Sequence, residues 1–426
     1  GFPTLMTPTS HTFAIEDCMS LLDASPSPFH AVAEFSTRLT AAGASELSLA
    51  DEWDSSSVNG FRFVRRDGAL VAWKAPTTPA PAPDMLLVGA HTDSPCFKLK
   101  PNPDVQHHGW RQLAVEVYGG ILNNSWLDRD LGLAGRVVND AGETTLVRTD
   151  AIARIPQLAI HLDRGVNDGL RLDPQTHLMP IWSVDPVGES VVERLQRLSG
   201  FDSIAWWDIS LFDTQPAARL GSARELLASG RLDNLVSCWA AVAALSATSY
   251  TNQLQMIVLN DHEEVGSAST TGAGGPTLEQ VLTRIVAARG GSSADLARAL
   301  SRSMCISADN AHALHPNYPD RHDHGHAPQV NKGPAIKLNV NQRYATSSIT
   351  AQRYAAICER AGLRTQVFSS RNNIPCGSTI GPITATRLGI DTIDIGVPQL
   401  SMHSARELCG VDDPVTLAQS FVAFWS

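Results

Sequence analysis

The residues best suited to chemistry sit in the stretch LQMIVLNDHEEVGS, Leu254 to Ser267. Leu254–Leu259 is apolar, uncharged and partly β-branched, the pattern of a buried strand. It runs straight into Asp261, His262, Glu263 and Glu264, then Val265-Gly266. Charges near a buried strand end are costly unless paired or bound to metal. Adjacent carboxylates also repel each other. A cation beside them relieves both costs, and one carboxylate could bind metal while the other handles a proton. Taken alone, the pair also fits a solvated acidic loop. A helical metalloprotease signature is excluded, because its second histidine would fall on Gly266.

Four further positions share this setting. His91-Thr92-Asp93 follows the apolar run Met85–Ala90. Asp233 opens the helical pattern Asn234–Ala247, Asp309 follows the strand pattern Met304–Ser307, and His403 lies beyond Thr392–Val397. His91, Asp233, Glu263, Glu264, Asp309 and His403 together suffice for a two-metal hydrolytic site. Such a site needs a bridging carboxylate, His and carboxylate ligands on each ion, and a separate base, with the ions about 3.5–4 Å apart. Ligands without thiolate suit zinc, manganese or cobalt rather than a structural zinc site. Asp93 is spaced to hold the second ring nitrogen of His91.

The elements that must position these residues follow from periodicity. Helices are predicted over Thr12–Ala24, from Pro28 to about Gly43, and over Ala223–Ser229, Asn234–Ala247, Thr277–Ala288, Ala294–Ser301 and Ser347–Ala361. Pro414 is expected to open a last helix, with Asp412 or Asp413 as its cap. Strands are predicted at Phe61–Arg66 and Ala69–Lys74 around an Asp67-Gly68 turn, and at Met85–Ala90, Ala335–Val340 and Thr365–Ser369. From about residue 101 the texture becomes β-rich, with strands expected at Leu113–Tyr118, Gly135–Asn139, Thr144–Arg148, Gln157–Leu162 and Ile204–Leu211. This reads as an insertion over 101–225 that interrupts a catalytic domain made of 1–100 and 226–426. The alternation outside the insertion implies an α/β sandwich. In such sheets ligands bind beyond the carboxyl ends of the strands, where the candidate residues cluster.

The 426 residues carry a formal net charge of −10, which argues against general nucleic-acid binding. The seven cysteines are scattered and form no CxxC pair, so a reduced, cytoplasmic protein is expected. No apolar run approaches the roughly 20 residues of a membrane span. The opening GFPTLMTPTS lacks the pattern of a secretory signal. The GAGGP turn at Gly272–Pro276 lacks the spacing and lysine of a phosphate loop.

Ten segments carry a resemblance: SPSPFHAV, GAHTDSPCFKLKP, SWLDRDLGLAGRV, RIPQLAIHL, GRLDNLVSC, NDHEEVGS, ADNAHALHPNY, NKGPAIKLNVNQRYA, IPCGSTIGPI and SMHSARE. In these, and in their order along almost the whole chain, the sequence resembles the M18 metallo-aminopeptidases of aspartyl aminopeptidase type. The resemblance implies that Asp233 bridges two divalent ions, zinc first with cobalt or manganese as alternatives. It implies that His91 and Asp309 hold one ion and Glu264 and His403 the other. Asp93 would orient His91, and Glu263 would be the general base. Lys337, with Tyr344, would select an acidic first side chain on a peptide substrate, and His312 and His315 would line the pocket. His161 would reach a neighbouring subunit's site and stabilise the oxyanion there. This implies a homo-oligomer, typically a tetrahedral dodecamer built from dimers through the inserted domain. Gln157 stands where some relatives carry a histidine, which argues against a role for that neighbour but not against one for His161.

Other features read as structural. His322-Asp323-His324-Gly325-His326 has metal-like composition but fits a solvated loop. Cys96 and Cys376 fit packed positions with no evident histidine partner. Competing functions are a peptidase for neutral N-terminal residues, an N-acyl amino acid amidase, and a non-enzymatic scaffold or sorting cargo. Lys337 argues against the first two, and the intact metal-type inventory against the last.

Overall fold

The computed structural model describes residues 11–426; the opening GFPTLMTPTS lies outside them. The chain folds as α/β around a nine-stranded sheet. Its order is Ser45–Glu46, Phe61–Arg66, Ala69–Lys74, Leu254–Asn260, Met85–His91, Met304–Ala308, Asp391–Gly396, Ala335–Leu338 and Gln366–Ser369. The four strands from Leu254–Asn260 to Asp391–Gly396 are mutually parallel. Their carboxyl ends therefore share one edge, with Asn260 opposite His91.

These central strands are apolar on both faces because helices cover both faces. Successive side chains alternate between two cores, as a strand requires. Ile257, Leu259, Val88, Ala90, Ile306 and Ala308 pack with the helices Ile15–Ala24, Pro28–Ala41, Leu232–Ala247 and Asp412–Trp425. Met256, Val258, Met85, Leu87 and Cys305 pack with Thr277–Ala288 and Ser293–Ser301. Helix Leu232–Ala247 is buried nearly all round, so its sequence is apolar rather than two-faced.

A second sheet of six antiparallel strands runs in the order Thr144–Arg148, Leu131–Val138, Trp206–Asp213, Cys96–His107, Trp110–Tyr118 and Ile181–Ser183. It has a separate core, which includes Phe97, Trp126, Leu133 and Leu211. A third sheet joins Ala218–Leu220, Leu226–Ser229, Glu407–Gly410, Pro398–Leu400 and Ala311–His312. It ties the chain just before Asp233 to the loop that carries His403.

Four sequence expectations change. Ala223–Ser229 is not a helix: Leu226–Ser229 pairs antiparallel with Glu407–Gly410, and that pairing overrides local propensity. Gln157–Leu162 is not a strand but an exposed stretch ending in the 3-10 turn Ile160–Leu162, with Leu162 74% exposed. Helices Val191–Ser199 and Gly381–Leu388 are additional. The first begins with a Ser190/Glu193 capping box, a signal present in the sequence. The last helix starts at Asp412 without a side-chain cap, because Asp413 instead accepts the N–H groups of Asn331 and Gly333. Among the described residues no helix is long and apolar enough to cross a membrane.

Ile306 is fully buried in the strand that delivers Asp309. Ile306→Ala should cost about 2–5 kcal/mol, read as a lower urea midpoint with an unchanged slope.

Candidate metal centre

The strand ends bring the expected residues together. Met85–His91 ends on His91, which is 0% exposed. Its Nδ1 lies 3.1 Å from Asp93 Oδ1 and 3.0 Å from the Asp93 carbonyl. Those acceptors fix Nδ1 as the protonated nitrogen. Nε2 faces carboxylates: Asp233 at 3.3 Å, Asp309 at 3.4 Å and Glu263 at 3.5 Å. His403 repeats the arrangement. Its Nδ1 donates to the Gly120 carbonyl at 2.8 Å, and its Nε2 lies 3.2 Å from Asp233 and 3.3 Å from Glu264. Lone pair against carboxylate is repulsive unless a proton or a metal ion lies between.

Asp233 stands in the middle, with Oδ1 toward His91 and Oδ2 toward His403. It lies in the first turn of Leu232–Ala247, where Asp233 and Asn234 depart from helical angles and their peptide bond is cis. Glu263 and Glu264 occupy a short 3-10 turn between two left-handed residues, His262 and Gly266. That reversal brings Glu263 toward His91 and Glu264 toward His403. Asp309 directly follows its strand, against Gly396, where an added Cβ would lie 1.7 Å from the Asp309 carbonyl. A glycine is required there by close approach alone.

Asp93 is 1% exposed and accepts from His91, from the Tyr118 hydroxyl at 2.7 Å, and from the N–H groups of Glu263 and Glu264 at 3.2 and 3.0 Å. Its donors hold it ionised, although burial opposes this. Burial, then the Asp309 and Glu264 charges, pushes Glu263 up to about 9. Burial and Asp233 push Glu264 up to about 8. Asp233 and Glu264 overcome burial and raise His403 to about 11. Without metal the cluster thus retains protons near neutral pH.

Ligand atoms converge in three groups: His91 with Asp233 and Asp309, Asp233 with Glu264 and His403, and His91 with Glu263 and Glu264. His91 Nε2, Asp233 Oδ1 and Glu264 Oε1 are buried without a hydrogen-bond partner. Orphaned acceptors on imidazole and carboxylate, converging without thiolate, fit a divalent ion such as zinc.

Residues 21–425 match the family described as aminopeptidase I zinc metalloprotease (M18). The chain belongs to the M18 aminopeptidases. It is 50% identical to a probable M18 family aminopeptidase 2 of Streptomyces coelicolor, over 96% of each chain. A protein of the same description from Stutzerimonas stutzeri is 45% identical, over 95% of this chain and 96% of its own. Among solved structures, the chain superposes on yeast aminopeptidase 1 with a TM-score of 0.84 at 27% identity, over 96% of each chain. The complex of Ape4 with Nbr1 gives a TM-score of 0.91 at 32% identity, covering 96% of this chain and 85% of that one. Membership makes this chain a metal-dependent aminopeptidase.

The remaining M18 candidates lie in different surroundings. Lys337 is 1% exposed, not an edge lysine in solvent, and donates to the carbonyls of Asp309 at 2.8 Å and Asn310 at 3.4 Å. Its ammonium lies 4.9 Å from the centre of the Tyr344 ring. Tyr344 and His312 line an adjoining cavity of about 370 Å³ with Phe368, Cys376 and Gln399. Burial and Lys337 lower the pKa of His312. His161 sits in the exposed turn Ile160–Leu162, outside the cluster of its own chain.

The histidine-rich loop does not gather into a metal site. His322 Nε2 accepts the His315 N–H, and His326 bonds Asp323 within the loop. Sequence reasoning missed Tyr118, which holds Asp93, and Glu407, which bonds the backbones of Asp233 and His403. Glu407 was visible as the last residue of SMHSARE, but nothing in its spacing marked it as buried.

Protons held by Glu263, Glu264 and His403 must leave when metal enters. Zinc binding to the metal-free protein should therefore release protons, and affinity should rise with pH through the Glu264 and Glu263 values of about 8 and about 9 and on toward the His403 value of about 11. Calorimetry in buffers of different ionisation enthalpy reads the proton count; zero release would exclude a protonated cluster.

Proposed function

We propose that this chain removes N-terminal aspartate or glutamate from peptides at a site holding two divalent ions, zinc in the first instance. His91 and Asp309 would hold one ion, Glu264 and His403 the other, with Asp233 shared. When bound, such ions supply Lewis acidity toward the scissile carbonyl and toward a water.

The chain's own groups do the rest. Glu263 is partly open, with a side chain 12% exposed, and it faces the same cluster as the ligands. It takes a proton from the attacking water and returns it to the leaving amine, the work of a general base then acid, worth about 10²–10⁴-fold. Asp93 keeps His91 in one tautomer. The acidic cluster also attracts a free α-amino group, which favours attack at a peptide's first residue.

The observation that carries the acidic preference is Lys337. An ammonium has three N–H donors, and two carbonyl oxygens take two of them. The third stays free for a substrate carboxylate between the cluster and Tyr344. Aspartyl and leucyl chromogenic amides test this. Glu263→Gln should lose turnover on both by about 10²–10⁴-fold. Lys337→Leu should lose it selectively on the aspartyl amide; equal loss on both would sink the specificity reading.

We place the β-rich sheet between Cys96 and Asp213 at a subunit interface of a tetrahedral dodecamer. A Saccharomyces relative, 26% identical, is described as a dodecamer. In this chain Leu158, Ile160, Leu162 and Trp206 are exposed at 59, 48, 74 and 64%, as residues awaiting a partner surface are. His161 sits among them and would donate to the oxyanion of a neighbouring subunit's substrate. Its unpaired cysteines suit a reducing compartment such as the cytoplasm. Leu162→Asp should yield smaller particles in analytical ultracentrifugation with reduced turnover, whereas His161→Ala should keep particle size and lower kcat. Monomeric wild-type protein with full activity would exclude this arrangement.

A further inference from the structure

Glu407 is 2% exposed, does not line the Tyr344 cavity and is not among the converging ligand groups. Its carboxylate nevertheless ties its own hairpin, which carries Gln399 and His403, to the start of Leu232–Ala247. Oε1 accepts the N–H of Asp233 at 3.1 Å. Oε2 accepts the N–H of His403 at 2.9 Å and the Gln399 side-chain amide at 2.7 Å. Gln399 in turn accepts from the side chain of Asn310, the residue after Asp309. One buried polar chain therefore links the backbones that carry Asp309, Asp233 and His403.

Neither of the two bonded N–H groups has a regular partner of its own. The first N–H groups of a helix have no intrahelical acceptor, and the residue before Leu232 supplies no side-chain cap. His403 sits in the connection between Pro398–Leu400 and Glu407–Gly410, at a φ of +71°. Glu407 is the acceptor that sets where both residues stand. All three of its partners are donors, which only a carboxylate satisfies. A glutamine would turn an NH2 group against one of them.

We propose that Glu407, held by Gln399, is a positioning residue that fixes the distance between Asp233 and His403 and so builds the ion site those two share with Glu264. The inference rests on the two-ion reading above. Partners of metal ligands act in this way by fixing orientation, and their loss typically costs about 10–100-fold in metal affinity.

The test is zinc titration of the metal-free protein against a chromogenic chelator, with wild type, Glu407→Gln and Gln399→Met side by side. Glu407→Gln should keep the near-ultraviolet circular dichroism of the folded protein. It should bind one of its two zinc ions about 10–100-fold more weakly, and lower kcat with KM unchanged. Gln399→Met, which removes one donor and leaves both backbones in place, should shift the same ion in the same direction by less. A folded Glu407→Gln protein with wild-type affinity for both ions overturns the proposal. If that variant does not fold, wild-type zinc affinity in Gln399→Met overturns it instead. Wild-type protein separates the two readings: if it takes up fewer than two zinc ions, the two-ion site itself falls and this inference with it.

Discussion

The site depends on the carboxylate of Asp93. It accepts from one imidazole, one phenol and two backbone N–H groups, with almost no exposure to water. These four donors come from three places: the strand end at His91, the turn at Glu263-Glu264, and Tyr118 in the second sheet. A single ionised group thereby sets the tautomer of His91 and the position of the two glutamates. Hydrogen bonds to a buried charge are among the stronger ones, so the arrangement is rigid before any ion arrives. Rigidity is needed, because Nε2 of both histidines and several carboxylates are crowded into one small volume.

The cluster also shows how an α/β sheet tolerates such repulsion. The four parallel strands are largely apolar on both faces, and the carboxylate they do bury, Asp394, accepts from the Thr379 hydroxyl and the Ala345 N–H. The acidic groups of the cluster lie at the strand ends, where helix starts and tight turns leave backbone donors free. Asp93 and Glu407 consume those donors. Asp93 stays ionised through N–H groups that the fold would otherwise leave unpaired, whereas burial and the Asp233 charge outweigh those of Glu407 and push it up to about 8. The burial of Lys337 is also offset by hydrogen bonds, since the carbonyls of Asp309 and Asn310 accept two of its N–H donors.

Much of this was legible because the decisive elements are strongly patterned. Phe61–Arg66 and Ala69–Lys74 fall where the Asp67-Gly68 turn places them, and Asp67 adopts the left-handed angle that such a turn requires. Thr277–Ala288 also matches its periodicity. Six metal-type residues were recognisable by their place after apolar runs, and the cluster contains them all. What failed was non-local. Leu226–Ser229 is a strand only because Glu407–Gly410 lies beside it, and a short segment cannot report a partner far along the chain. Gln157–Leu162 has the apolar content of a strand but no ladder, so its pattern misled. Glu407 looked like an ordinary surface glutamate, because burial of a charge is decided by what folds around it.

Tyr118 and the Gly120 carbonyl, both placed by the strand Trp110–Tyr118, reach back to Asp93 and His403. The six-stranded sheet closes from one continuous stretch of chain, whereas the nine-stranded sheet must wait for strands on both sides of it. During synthesis, when earlier segments fold first, the six-stranded sheet can close while the peptidase still lacks Asp309 and His403. The hydrolytic centre therefore cannot assemble until the chain has passed His403, and a half-made chain is a protease without teeth among the nascent proteins around it.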